Sequence, residues 1–204
     1  MAGPKPKNTW LLIASVALAI VLVLVVIVLD TVFAPIDGII RFGALLGYLA
    51  VFVASLSSNY MRELTRYFGR AFVKVHHVVS ITALVALTIH AVAAAWRAQS
   101  LATFLPVFTS PLAFFALGGR PAFWLIAITA VTAFFRASIG KSWKTIHWLN
   151  YVAFFLGTAH AILIGSTFYN RLPLQILAVV MALVLLGVFI LKRMAEQKRR
   201  RKRR

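Results

Sequence analysis

Two stretches decide the reading of this chain: residues 73–92, VKVHHVVSITALVALTIHAV, and residues 145–163, TIHWLNYVAFFLGTAHAIL. Each is about as long and apolar as a membrane-spanning helix must be, roughly 20 residues. Each also carries two well-separated histidines, His76 and His90 in the first and His147 and His160 in the second. An imidazole in a bilayer interior is costly unless it is hydrogen-bonded or ligating, so it points to function.

The surrounding sequence supports the membrane reading. Of 204 residues 62% are hydrophobic, and the mean hydropathy of +0.91 is too high for a water-soluble domain of this size. The acidic residues are Asp30, Asp37, Glu63 and Glu196, against 22 basic ones, for a formal charge of +18. In a soluble chain that balance would indicate nucleic acid. Here the charges lie between apolar runs, and no nucleic-acid partner is expected. The chain has no cysteine, which excludes thiolate-bound zinc, iron–sulfur clusters, c-type haem attachment and disulfides.

Hydropathy places six spans at 10–33, 38–57, 75–96, 121–137, 145–167 and 173–192, the fourth of them short. The first is too long for a signal-peptide core and no A-x-A site follows closely, so it reads as a retained helix. Basic residues set the orientation. One set of loops holds Lys5, Lys7, Arg62, Arg66, Arg70, Lys74, Arg136, Lys141, Lys144 and nine residues from Lys192 onward, 18 in total; the other holds Arg41, Arg97, Arg120 and Arg171. The fold expected is all-α, a polytopic six-helix bundle with both termini cytoplasmic. It divides into a cytoplasmic N-terminus (1–9), a transmembrane domain (10–192) and a basic tail (193–204). A multi-pass protein of the cell membrane follows. The tail, KRMAEQKRRRKRR, is an anchor on anionic lipid or a dock for an acidic partner. The long outside segment 97–121, rich in Phe and Pro, lies in the interface or caps the bundle.

With this orientation the third and fifth spans both start at the cytoplasmic face. His76 and His147 then share an inner level, and His90 and His160 an outer one about 20 Å away. Two imidazoles from facing helices can hold the iron of a b-type haem, so two levels accommodate two haems. Helical phase supports the third span: His76 to His90 is 14 residues, about 40° short of four turns, whereas His77 is nearly opposite His90. His77 is the alternative inner ligand. His147 to His160 is 13 residues, about 140° short of four turns, so a kink, a π-bulge or differently placed haems are needed to use both.

The stretch RYFGRAFVKVHHVVSITALVALTIHAV and the later AFWLIAITAVTAFFRASIGKSWKTIHWLNYVAFFLGTAHAIL resemble the ferric reductase-like transmembrane domain. That family includes ferric-chelate reductases, NADPH oxidases and the bacterial haem subunit of the methionine sulfoxide reductase system. The second stretch carries Thr132, Ala133 and Ser138, a basic turn, Trp143-x-x-x-His147 and His160. His77 and Ser80 stand where relatives often have Arg and Gly. The resemblance covers residues 38–190. It implies two b-type haems between the third and fifth spans, carrying electrons outward, and eases the phase difficulty, since thirteen-residue spacing occurs in the family. Relatives often continue into a cytoplasmic FAD and NAD(P)H domain. This sequence has no G-x-G-x-x-G and no room for such a domain. The expected donor is therefore a separate reductase or quinol, and the acceptor an extracytoplasmic ferric chelate, oxygen or partner enzyme. The expected role is the membrane haem subunit of an oxidoreductase.

Candidate partners for haem propionates are Arg70, Lys74 and Lys144 at the inner level and Arg97 at the outer, with Arg66, Arg41 and Arg120 nearby. Trp96, Trp124, Trp143 and Trp148 read as aromatic belts. Asp37 fits a turn or interfacial role. No carboxylate pair, serine triad or phosphate loop is present, so no side chain is assigned catalysis by itself. The rival readings are a transporter or channel using histidine proton relays, and a membrane anchor recruiting a partner.

Overall fold

A computed structural model describes residues 35–69 and 71–201. The first expected span, Lys5, Lys7, Asp30 and Arg70 lie outside these residues. The described chain is helical: α1 Pro35–Asn59, α2 Met61–Phe68, α3 Ala71–Ala98, α4 Pro111–Ala116, α5 Gly119–Phe134, α6 Arg136–Ile139, α7 Trp143–His147, α8 Leu149–Ile164 and α9 Leu172–Arg201. Short 3₁₀ turns cover Leu101–Phe104 and Gly140–Ser142. Among the described residues four helical stretches are long and apolar enough to cross a membrane: Pro35–Asn59, Phe72–Ala98, Arg136–Ile164 and Leu172–Ala195. The expected fourth span is the shorter helix α5, whose 16 residues rise only about 24 Å.

The described residues divide into two compact units, one holding those up to Ala54 together with Tyr60–Pro106, the other Ser55–Asn59 and those from Val107 onward. In the first, α1 and α3 pack antiparallel: Asp37 bonds Arg97, Ile40 meets His90, and Gly47 meets Leu87. The register follows from side-chain size. Ala83, Ala86 and Ala93 are buried, and with His90 between them they form one stripe at spacings of three and four residues. Large residues of the opposite stripe (Val78, Ile81, Val85, Ile89, Val92, Trp96) are exposed. A bilayer offers no hydrophobic gain for burying one apolar side chain against another, so small residues define the helix contact and bulky ones face lipid. A Cβ on Gly43 would come within 2.8 Å of the Ala86 carbonyl and 3.1 Å of the His90 amide nitrogen, which is why the helices approach there.

In the second unit α5 and α8 run antiparallel, with Gly119 opposite His160 and Thr129 opposite Asn150. Ala153, Phe154, Leu156 and Thr158 of α8 are buried, as are Ala178, Met181, Ala182 and Leu185 of α9. Near the end of α9 the Phe189 ring meets Tyr151, and Arg193 sits 3.6 Å above the centre of the Trp148 ring. Trp148 therefore carries a cation–π contact as well as any interfacial role. Tyr151 also receives an Asn59 amide hydrogen bond at 2.9 Å.

Three boundaries differ from the sequence reading. The fifth expected span, 145–167, is broken by a single residue, Trp148, which separates α7 from α8, and ahead of it Gly140 takes a positive φ of 68°. Within segment 97–121, Ser100 caps the 3₁₀ turn, and Ser110 caps α4 directly ahead of Pro111. Helix α9 runs past residue 192 to Arg201, because lysine, arginine, glutamate and glutamine are good helix formers and nothing stops the helix at the polar boundary.

Three substitutions test this packing, each read as thermal unfolding in detergent. Gly43→Ala should destabilise the protein by at least ~1 kcal/mol, because overpacking outweighs the helix propensity of alanine. Gly187→Ala, which meets open space, should stabilise it by up to about 1 kcal/mol. Thr129→Val should cost about 1–3 kcal/mol by removing the donor that satisfies the Asn150 side-chain oxygen.

Candidate functional site

His76 and His90 both lie on α3, and His76 is half-buried while its neighbour His77 is exposed. The His76 and His77 rings stand 6.2 Å apart, tilted by 54°. His147 ends α7 and His160 lies in the last turns of α8. Helix α3 belongs to the first unit and α7 and α8 to the second.

The two histidines expected at the outer level have the same environment. His90 Nδ1 lies 2.9 Å from the Ile40 carbonyl, and His160 Nδ1 lies 2.8 Å from the Ala116 carbonyl. A carbonyl oxygen can only accept, so Nδ1 carries the proton in both. In a neutral imidazole Nε2 then bears the lone pair, which is the nitrogen a metal takes. Ligating histidines are commonly oriented in this way, by a backbone carbonyl at the other ring nitrogen.

The expected inner level is built differently. Asn150 Nδ2 donates to the His147 carbonyl at 3.1 Å and stands 3.4 Å from His147 Nδ1. Its oxygen accepts from Thr129 at 2.7 Å. The His147 ring also meets Trp143 edge-on, 5.6 Å between centres. Between His147 and His160 the chain tightens: Trp148 N–H bonds the Thr145 carbonyl, and Tyr151 N–H bonds the Trp148 carbonyl, both three residues back. A 3₁₀ stretch turns about 20° further per residue than an α-helix. The break therefore shifts the phase of the two histidines in the direction that brings them closer to a common face.

Among the expected propionate partners Lys74 and Lys144 are exposed, and Arg66 is exposed at the end of α2. Arg97 at the end of α3 is bound to Asp37 at the start of α1, so the interfacial aspartate is a partner of the arginine rather than a turn residue alone. Among the described residues no three His, Cys, Asp or Glu side chains gather as they would around a metal bound by side chains alone.

Sequence reasoning missed Ile40 and Ala116, which act through main-chain carbonyls that no side-chain pattern reveals. It also missed Asn150 and Thr129. Their signal was visible: two polar residues, each inside an apolar run, one of them three positions after His147.

The model of the ferric reductase like transmembrane component family matches residues 38–158. The matched segment contains His76, His90 and His147 and stops two residues before His160. No characterised protein and no solved structure matches the chain. The family match spans more than half of the sequence, and its apolar helices make it a multi-pass membrane protein. With carbonyl-oriented histidines on long apolar helices, the chain belongs to the ferric reductase-like transmembrane components, a family of membrane redox proteins.

Proposed function

We propose that this chain is the membrane haem component of an electron-transfer oxidoreductase, with two b-type haems between the third and fifth spans. His76 and His147 hold the inner iron, and His90 and His160 the outer. The bundle has six spans and cytoplasmic termini. The donor is a separate reductase or quinol at the cytoplasmic side, and the acceptor an extracytoplasmic ferric chelate, oxygen or partner enzyme.

The observation that carries the reading is the pair of Nδ1–carbonyl hydrogen bonds at His90 and His160. Two independent helices present the same tautomer, the one bis-imidazole ligation requires. Haem iron supplies one-electron chemistry when bound; this chain supplies ligands, orientation and a dry surround. The Ile40 and Ala116 carbonyls hold the Nδ1 protons and make each imidazole a stronger donor at Nε2. The alanine stripe of α3 excludes water along the same face that carries His90. At the inner level, Asn150 and Thr129 orient the backbone at His147. Lys74, Lys144 and Arg70 balance inner propionates, and Arg97, held by Asp37, the outer ones.

Purified protein reduced with dithionite should show the bands of six-coordinate b-type haem. His90→Ala and His160→Ala should each abolish one bis-imidazole centre and open the remaining one-histidine iron to carbon monoxide. His76→Ala should do the same for the other centre and His77→Ala should not; the reverse result would transfer the inner ligand to His77. A colourless protein, even with haem supplied during expression, overturns the proposal. The absence of native cysteine makes topology directly measurable. A single cysteine at Lys198 should react with an impermeant maleimide only from the cytoplasmic side, and one at Phe108 only from the opposite side.

A further inference from the structure

Gly119 is the first residue of α5, and its backbone does not adopt the positive φ that demands glycine. The demand comes from space. A Cβ built there would lie 2.9 Å from His160 Cδ2, 3.0 Å from Nε2 and 3.1 Å from Cγ, so the imidazole occupies the place of the missing side chain. Three residues earlier on the same segment, the Ala116 carbonyl accepts from His160 Nδ1. One short stretch of chain therefore meets the ring twice, with a polar hold on Nδ1 and a steric boundary along the Cδ2–Nε2 edge. The neighbouring glycine is different: a Cβ on Gly118 would meet the Leu156 carbonyl at 2.7 Å, which is backbone against backbone. Gly43 resembles Gly118 in this respect, since its first obstacle is the Ala86 carbonyl.

We infer that Gly119 is a positioning residue for His160, which together with the Ala116 carbonyl fixes the tilt and depth at which Nε2 is presented. The inference rests on the reading of His160 as an iron ligand. A methyl group at 119 cannot be accommodated unless the ring swings. Swinging breaks the Nδ1 bond and moves Nε2 off its line, whereas Gly118 determines only how closely α5 and α8 pack.

The test uses full-length protein expressed with haem. Gly119→Ala should convert one of the two low-spin centres into a five-coordinate form that binds carbon monoxide when reduced, and should lower the thermal midpoint. Adding Gly119→Ala to His160→Ala should lower it no further, because the ring it strikes is gone. Gly118→Ala should lower the midpoint equally in both backgrounds. This cycle reads the contact even where Gly119→Ala alone loads haem poorly, since the double variant then recovers the stability of His160→Ala. The inference is overturned if Gly119→Ala keeps both low-spin centres and rejects carbon monoxide. It is also overturned if its stability loss persists without the His160 ring. If His160→Ala itself leaves the bis-imidazole spectrum intact, the ligand assignment fails first and the inference goes with it, a result distinct from either of the others.

Discussion

A histidine inside a bilayer must place its ring proton on an acceptor, and the rest of this site depends on that requirement. Water is absent, an unsatisfied polar group costs several kcal/mol, and apolar helices offer few side-chain acceptors. The solution at His90 and at His160 is a main-chain carbonyl of a neighbouring helix. Ile40 lies inside α1, and a helical carbonyl has a second lone pair beyond the one used by its own helix; Ala116 is the last residue of α4, where a helix leaves its carbonyls without intrahelical donors. The bond then does two things together. It removes the cost of burying Nδ1, and it leaves the lone pair on Nε2.

Such bonds form only where helices lie close, and here closeness comes from small residues. Ala83, Ala86 and Ala93 bring α3 against its partner, and Gly43 removes the Cβ that would keep the two backbones apart. In the second unit Gly118 does the same for α5 and α8, while Gly119 leaves room for the His160 ring. Dispersion and hydrogen bonding hold such contacts in lipid, and both fall steeply with distance. The large exposed residues of α3 and α9, such as Val78, Ile81, Leu183 and Leu191, fit the other half of that division, a surface turned to acyl chains.

The histidines differ in how they are supported. His90 and His160 rest on carbonyls, while His147 sits in a side-chain network running from Thr129 through Asn150 at the junction of α7 and α8. A junction of this kind changes geometry with less resistance than an unbroken helix, because fewer successive i to i−4 bonds cross it. The basic continuation of α9 starts at the same end, where Arg193 covers Trp148. Anionic lipid attracts such a run of lysine and arginine.

The sequence by itself determined the class of this protein. Apolar runs of spanning length, the uneven distribution of lysine and arginine, and histidines inside two of those runs required only composition and spacing to be read. The same reasoning preferred His76 over His77 by phase. Tertiary structure alone decided what touches each ring. The Ile40 and Ala116 carbonyls, the space left at Gly119, the Asp37–Arg97 pair and the break at Trp148 join residues far apart in the chain or depend on backbone torsions. Backbone acceptors have no residue type, so no pattern of letters marks them. A glycine retained for the ring it faces is spelled the same as one retained for a turn.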